Sequence, residues 1–222
     1  MIDLLYYDIG TDVEAFSTKK GSDLPYNVLQ PHQVHGDSVA IIDDRQLTRE
    51  NLRGIDALVT NLDEFPIGVR SADCVPILLY DPVNSVIAAI HSGWRGTVKR
   101  ISQKTIDVLV DNFKTNPEDL RAVIGPSIGP ESFEVRVDVV NSFCEAGFNM
   151  AEICKQKNED KYLIDLWKAN IFLLREKRVQ LQNIMLTGIC SFINHEEFYS
   201  ARYESDNKCG RTINAIKINR KK

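Results

Sequence analysis

Between residues 38 and 90 the chain carries a dense succession of short apolar segments, at 38–42, 55–60, 67–70, 75–80 and 86–90. Each is rich in β-branched residues and bounded by Asp, Pro, Asn or Gly, which is the pattern of strands separated by turns. This part of the chain is thereby committed to β-sheet, and the polar residues between the segments to strand ends. Residues 4–7 read as a further strand. The stretch 18–31, with Gly21, Ser22, Asp23, Pro25 and Pro31, reads as loop.

The periodicity then changes. From Thr97, residues Val98, Ile101, Ile106, Leu109, Val110 and Phe113 fall on one helical face, and Asn116-Pro117 closes the region. A buried strand is expected at 122–124, a short helix at 138–146 and a longer helix at 165–178. In the longer helix Asp165 is placed to cap the N-terminus, and Lys177 and Arg178 suit the C-terminal dipole. Segments 183–189 and 212–218 read as late strands. Strands and helices mix without strict βαβ alternation, so the fold class expected is α+β. No internal repeat or linker-like tract divides the chain, and 1–222 reads as a single domain.

Composition narrows the partners. A net charge of −4 argues against nucleic acid, whose binders carry a basic domain or stripe. The one basic cluster, Asn219-Arg220-Lys221-Lys222, reads as a solvated tail. No apolar run approaches the length needed to span a bilayer. The opening MIDLLYYDIG lacks the basic flank of a secretory leader. The five cysteines, Cys74, Cys144, Cys154, Cys190 and Cys209, are odd in number and widely spaced, which favours free thiols in a reducing cytoplasm. A monomer is expected.

Three polar motifs interrupt the apolar segments. In His91-Ser92-Gly93-Trp94-Arg95-Gly96 a strand delivers His91 to its end, two glycines bracket Trp94 and Arg95, and a helix follows. Such a strand-to-helix turn can face a ligand with backbone N–H groups; a tight turn with a packing Trp and a surface Arg is the plainer alternative. Arg70-Ser71-Ala72-Asp73-Cys74-Val75-Pro76 sets Arg, Asp and Cys at another strand end. A thiolate there needs a cation or a metal beside it; a buried structural Cys is the alternative. Gln33-Val34-His35-Gly36-Asp37 lies in loop, where Pro31 and Gly36 argue against a helix and against His32 as a second ligand. One Cys and two His can hold zinc and leave its fourth position open, as a catalytic zinc requires.

Taken together, QVHG at 33–36, RSADCVP at 70–76, HSGWRGT at 91–97, GPSIGPESFEV at 125–135, FYSAR at 198–202 and the later GR at 210–211 resemble the YfiH-type laccase-domain family. That family is described variously as multicopper polyphenol oxidoreductase, purine nucleoside phosphorylase and peptidoglycan editing factor. The resemblance implies mixed β-sheets in a four-layer α/β/β/α arrangement and zinc bound by His35, Cys74 and His91. Ser71, Ser92 and Ser127 stand where Thr, Ala and Cys are common in the family, and the segment between FSTKKG and QVHG is short.

The activity implied is phosphorolysis of adenosine, inosine and methylthioadenosine, with adenosine deamination beside it. Arg70 and Arg95 are candidates for holding phosphate, and Arg202 and Arg211 for the same pocket. Asp73 is a candidate proton carrier or a partner that orients a zinc-bound His. Copper is possible from the family description, but a multicopper site needs many His and this chain has four. The alternatives are a hydrolase or amidase editing cell-wall precursors, a copper-dependent phenol oxidase, and a binding module with structural zinc.

Overall fold

The structure, a computed structural model, describes residues 1–204 and 209–219. The basic tail expected at 219–222 lies outside the described residues apart from Asn219. The elements in order are β1 (Leu4–Tyr7), β2 (Val13–Thr18), β3 (Val39–Ile41), β4 (Ala57–Thr60), β5 (Ile67–Ser71), β6 (Val75–Asp81), β7 (Val86–Ser92), α1 (Trp94–Val98), α2 (Ile101–Phe113), β8 (Arg121–Ile124), β9 (Glu134–Val135) and α3 (Val137–Glu145). They continue with α4 (Met150–Ile153), β10 (Cys154–Gln156), β11 (Tyr162–Ile164), α5 (Leu166–Glu176), β12 (Ile184–Leu186), α6 (Ala201–Glu204) and β13 (Thr212–Ile218).

The continuous apolar strands are explained by a sheet buried on both faces. The six-stranded sheet runs β12-β8-β6-β7-β4-β3, parallel at its two outer pairs and antiparallel between. Its side chains alternate between two cores. Val75, Ile77 and Leu79 of β6 and Val86, Ala88 and Ile90 of β7 pack against Ile101, Ile106 and Leu109 of α2 and Leu166, Ala169 and Leu173 of α5. Leu78, Tyr80, Ile87 and Ala89 join Ala15, Ile67, Val69 and Ile216 of the second sheet.

That second sheet is antiparallel, in the order β1-β2-β13-β5. Its other face is closed by a small cluster of Phe16, Val28 and Ala215 with Leu4, Leu24, Tyr26 and Ile213. Helices, six-stranded sheet and four-stranded sheet are therefore three successive layers. Among the described residues the small cluster draws its cover from the chain around residues 24–28. A small sheet, β10-β11-β9, flanks the helical side. The architecture is a mixed α+β domain.

Two local features depart from the sequence pattern. The helix expected from Thr97 is two helices, with Lys99 and Arg100 between them and Arg100 at φ 62°. The Arg100 guanidinium bonds the Ala146 carbonyl at 2.9 Å and Glu176 at 2.6 Å, which holds the break in place. Strand β2 has no counterpart in the sequence reading; it pairs with β1 on one side and with β13, from the other end of the chain, on the other. Asp165 does cap α5, its Oδ1 accepting from the Lys168 N–H at 2.9 Å.

Candidate metal centre and cavity

The six-stranded sheet brings the three polar motifs together. The ligand atoms of His35, Cys74 and His91 all lie within 4.8 Å of one another. The rings of His35 and His91 meet edge to face at 4.9 Å between centroids. His91 sits within β7 and is 3% exposed, while His35 stands on the exposed loop before β3. Cys74 closes the turn between β5 and β6. A soft thiolate with two imidazoles is a donor set suited to zinc. His32 is outside the cluster.

What aims these ligands is a residue the sequence reading passed over. Asp56 precedes β4 and is fully buried. Its backbone carbonyl accepts from the His91 N–H at 2.8 Å, which continues the β4–β7 ladder and sets Asp56 opposite His91. Its Oδ1 meets His91 Nδ1 at 2.8 Å and accepts from the His35 N–H at 3.0 Å. Its Oδ2 accepts from the N–H groups of Val34 at 3.1 Å and Gly36 at 2.8 Å. One carboxylate thus wraps the 34–36 loop and fixes the tautomer of His91, a usual device around metal-binding His. It also gathers successive N–H groups around an anion, which helps hold His35 at φ 59°.

Burial alone would raise the Asp56 carboxyl; the bonds from His91, Gly36 and Val34 outweigh it and hold it below the usual carboxylate value. Burial would likewise raise the Cys74 thiol, but the His91 charge and contacts with both imidazoles bring it well below its ordinary value. For His91 burial lowers, while the Cys74 thiolate and Asp56 raise, and the net direction is up. A thiolate facing an imidazolium is the state from which a metal displaces the proton of the ring.

The loop glycines are required by close approach. A Cβ on Gly93 would stand 2.9 Å from Cys74 Sγ and 3.4 Å from His35 Cδ2. One on Gly96 would stand 3.2 Å from the Gly36 carbonyl oxygen. Gln33, the first residue of QVHG, also finds its role here. Its amide oxygen accepts from the Arg70 N–H and its amide nitrogen donates to the Arg70 carbonyl, both at 2.8 Å, so the loop is pinned to β5.

The side chains of His35, Cys74 and His91 lie in a cavity of about 700 Å³ that Arg49, Arg70, Arg202, Arg211, Asp73, Trp94 and Phe133 help to line. Among the described residues none of the four guanidinium groups makes an ion pair. Arg202 donates to the carbonyls of Ser132 and Glu134 and lies over the Phe133 ring. Arg211 donates to those of Cys209 and Gly210. Arg70 and Arg49 have no hydrogen bond to their side chains from described residues. The Arg70 side chain is half-buried, and burial together with the charges of Arg49 and Arg211 lowers its pKa. Arg49 was not singled out in the sequence; it carries no motif and enters the cavity only through folding.

Two expected residues take different places. Arg95 is exposed and stacks on Trp94 at 4.4 Å, outside the cavity lining. Asp73, at φ 81°, lines the cavity, but its oxygens accept from Ser191 Oγ and the Arg202 N–H, each at 2.7 Å. The residue that orients His91 is Asp56, across the strand pair. Ser127 supports α5, accepting from Trp167 Nε1 at 2.8 Å.

Residues 13–219 match the family described as multi-copper polyphenol oxidoreductase laccase. A purine nucleoside phosphorylase of Bacteroides thetaiotaomicron is 39% identical over 206 residues, covering 90% of this chain and 76% of that protein. The adenosine deaminase RL5, from an unknown prokaryotic organism, is 38% identical over 197 residues, covering 86% and 74%. The crystal structure of YfiH from Bacillus licheniformis superposes with a TM-score of 0.90 at 23% identity, covering 98% of this chain and 97% of that one, which shows a shared fold. On a sequence match that runs almost from end to end, the chain belongs to the multi-copper polyphenol oxidoreductase laccase family.

Proposed function

We propose that this protein is a zinc-dependent purine nucleoside phosphorylase with adenosine deamination as a second activity. The observation that carries the reading is the joining of one Cys and two His, within 4.8 Å, to a cavity whose guanidinium groups lack ion pairs among the described residues. Such groups suit a doubly charged oxyanion, and the cavity size suits a nucleoside beside it. The names of the two relatives point to the same substrates. The donor set also favours a single zinc over copper, since the soft thiolate and two imidazoles leave no array of His for a multicopper site.

Phosphorolysis breaks the C1′–N9 bond and forms a C1′–O bond to phosphate, and the purine leaves with a proton. Arg70 and Arg49 hold the phosphate by charge, with Arg202 and Arg211 on the wall beside them. Trp94 and Phe133 offer flat apolar surface to the base. Asp73, at the cavity wall beside Cys74, is the candidate to carry the proton. Zinc on His35, Cys74 and His91 supplies Lewis-acid polarisation in the site when bound. Arg95 acts through Trp94, whose ring it covers.

The test is chromatographic. Zinc-loaded protein given inosine and phosphate is expected to yield hypoxanthine and ribose 1-phosphate, and with adenosine some inosine and ammonia. His91→Ala is expected to lose both products. Zinc-loaded protein that makes neither free base nor inosine, yet cleaves an amide-linked cell-wall precursor, would replace this reading with an editing hydrolase.

A further inference from the structure

The wall of the cavity is backed by a directed chain of hydrogen bonds that crosses the four-stranded sheet, one residue per strand. Tyr7 of β1 donates to Ser17 Oγ of β2 at 2.5 Å, Ser17 donates to Asn214 Oδ1 of β13, and Asn214 Nδ2 donates to Ser71 Oγ of β5 at 2.9 Å. All four residues are buried. Only Ser71 lines the cavity.

The direction of the chain follows from one neighbour. The Asn214 amide group that faces Ser71 also faces the Thr212 backbone carbonyl, at 3.4 Å. A carbonyl only accepts, so that group is the NH₂ and the other is the oxygen. The oxygen then requires Ser17 to spend its proton on it. Ser17 Oγ is left to accept from Tyr7, whose phenol is kept protonated by burial. Each hydroxyl proton is committed except the last. Ser71 uses its oxygen as an acceptor toward Asn214, and its proton has no acceptor among the described residues.

A buried donor without an acceptor is costly, and buried polar groups nearly always find partners. For Ser71 the open direction is the cavity. There its neighbours are cationic: Arg70 precedes it, and Arg49 and Arg211 line the same space. Room for the chain is kept by Gly125, the first residue of the GPSIG motif. A Cβ there would stand 3.0 Å from Pro76 Cγ, 3.3 Å from Asn214 Oδ1 and 3.4 Å from Tyr7 Oη.

We propose that Ser71 donates a hydrogen bond to an oxygen of the phosphate held by Arg70, and that Asn214, Ser17 and Tyr7 fix this polarity. The proposal rests on the phosphorolytic reading for its substrate, and it adds a neutral donor that selects the anion by geometry as well as charge. A hydrogen bond to a charged group contributes on the order of 1.5–3 kcal/mol, or about 10- to 100-fold. Ser71→Ala is therefore expected to raise the phosphate KM by about 10- to 100-fold, with the inosine KM at saturating phosphate little moved. Ser71→Thr, which keeps the hydroxyl, restores it. Asn214→Asp puts acceptors on both sides, turns the Ser71 proton inward, and is expected to mimic Ser71→Ala with the serine still present.

Calorimetric titration of inorganic phosphate into wild type and Ser71→Ala reads the same contact without turnover. Circular dichroism and zinc content verify that each variant is folded and loaded. A wild type that binds phosphate but makes no free base would remove the proposed reaction, and weaker phosphate binding in Ser71→Ala would still support the donor. Equal phosphate affinity in wild type and Ser71→Ala, or an equal rise of both KM values, overturns the proposal.

Discussion

Replacing Asp56 by Asn tests whether one carboxylate organises the metal loop. The carboxylate receives four contacts, two on each oxygen: His91 Nδ1 and the His35 N–H on Oδ1, and the Val34 and Gly36 N–H groups on Oδ2. An amide has one acceptor oxygen. With its NH₂ toward Val34 and Gly36 it faces two N–H donors and loses both contacts; turned the other way it opposes the His35 N–H and makes His91 accept at Nδ1, the tautomer that leaves Nε2 protonated. Hydrogen bonds to a charged group are each worth about 1.5–3 kcal/mol, so the loss is about 3–6 kcal/mol if the loop stays in place. Part of it is recovered if residues 34–36 move into solvent, but the ligand His35 then leaves the site. Zinc affinity is expected to fall about 10- to 100-fold, the usual effect of removing a partner that orients a ligand. Urea titrations of the apo protein and competition with a zinc chelator measure the two quantities separately. An Asp56→Asn protein with wild-type stability and wild-type zinc affinity would refute the reasoning.

Gly93→Ala should lose most of its zinc while keeping its circular dichroism spectrum, because the added Cβ would stand 2.9 Å from Cys74 Sγ at the junction of β7 and α1; full metal occupancy would contradict this. Cys74→Ala should behave similarly in metal analysis, since two imidazoles alone hold zinc poorly. Arg70→Lys should raise the phosphate KM several-fold more than Arg95→Lys, because Arg70 lines the cavity and Arg95 lies outside its lining; phosphate saturation curves decide between them. Asp81 is fully buried, and although burial would raise its carboxyl, the nearby Thr115 hydroxyl and hydrogen bonds from Asn84 and Val83 hold it below the usual value. Its contribution is therefore present above the unfolded pKa of about 3.9 and lost as pH falls through the lower folded value. The stability gap between wild type and Asp81→Asn should shrink as pH falls below about 4, as denaturant titrations at neutral and acid pH would show.

Much of the sheet was legible because its physics is local. The strands β4 to β8 are short, apolar and punctuated by turn residues, and burial on two faces explains why they run apolar without alternation. The motifs around His35, Cys74 and His91 were legible as polar interruptions of an apolar stretch, and it is the fold that brings their side chains within 4.8 Å. Asp165 as a helix cap depended only on its immediate neighbours.

What the chain alone left undecided are relations across long stretches of sequence. Strand β2 forms a hairpin with the neighbouring β1, but its place inside the sheet is completed by β13, nearly the full chain away. The break at Arg100 is fixed by Ala146 and Glu176, on elements that arrive later. Asp73 sits beside a ligand in sequence yet bonds Ser191 and Arg202, whereas Asp56, with no motif around it, orients His91 and wraps the His35 loop. Arg49 enters the cavity lining and Arg95 lies outside it for the same reason. Adjacency along the chain places a side chain at a strand end, but which way it faces is set by sheet register, and register exists only once the distant strands have paired.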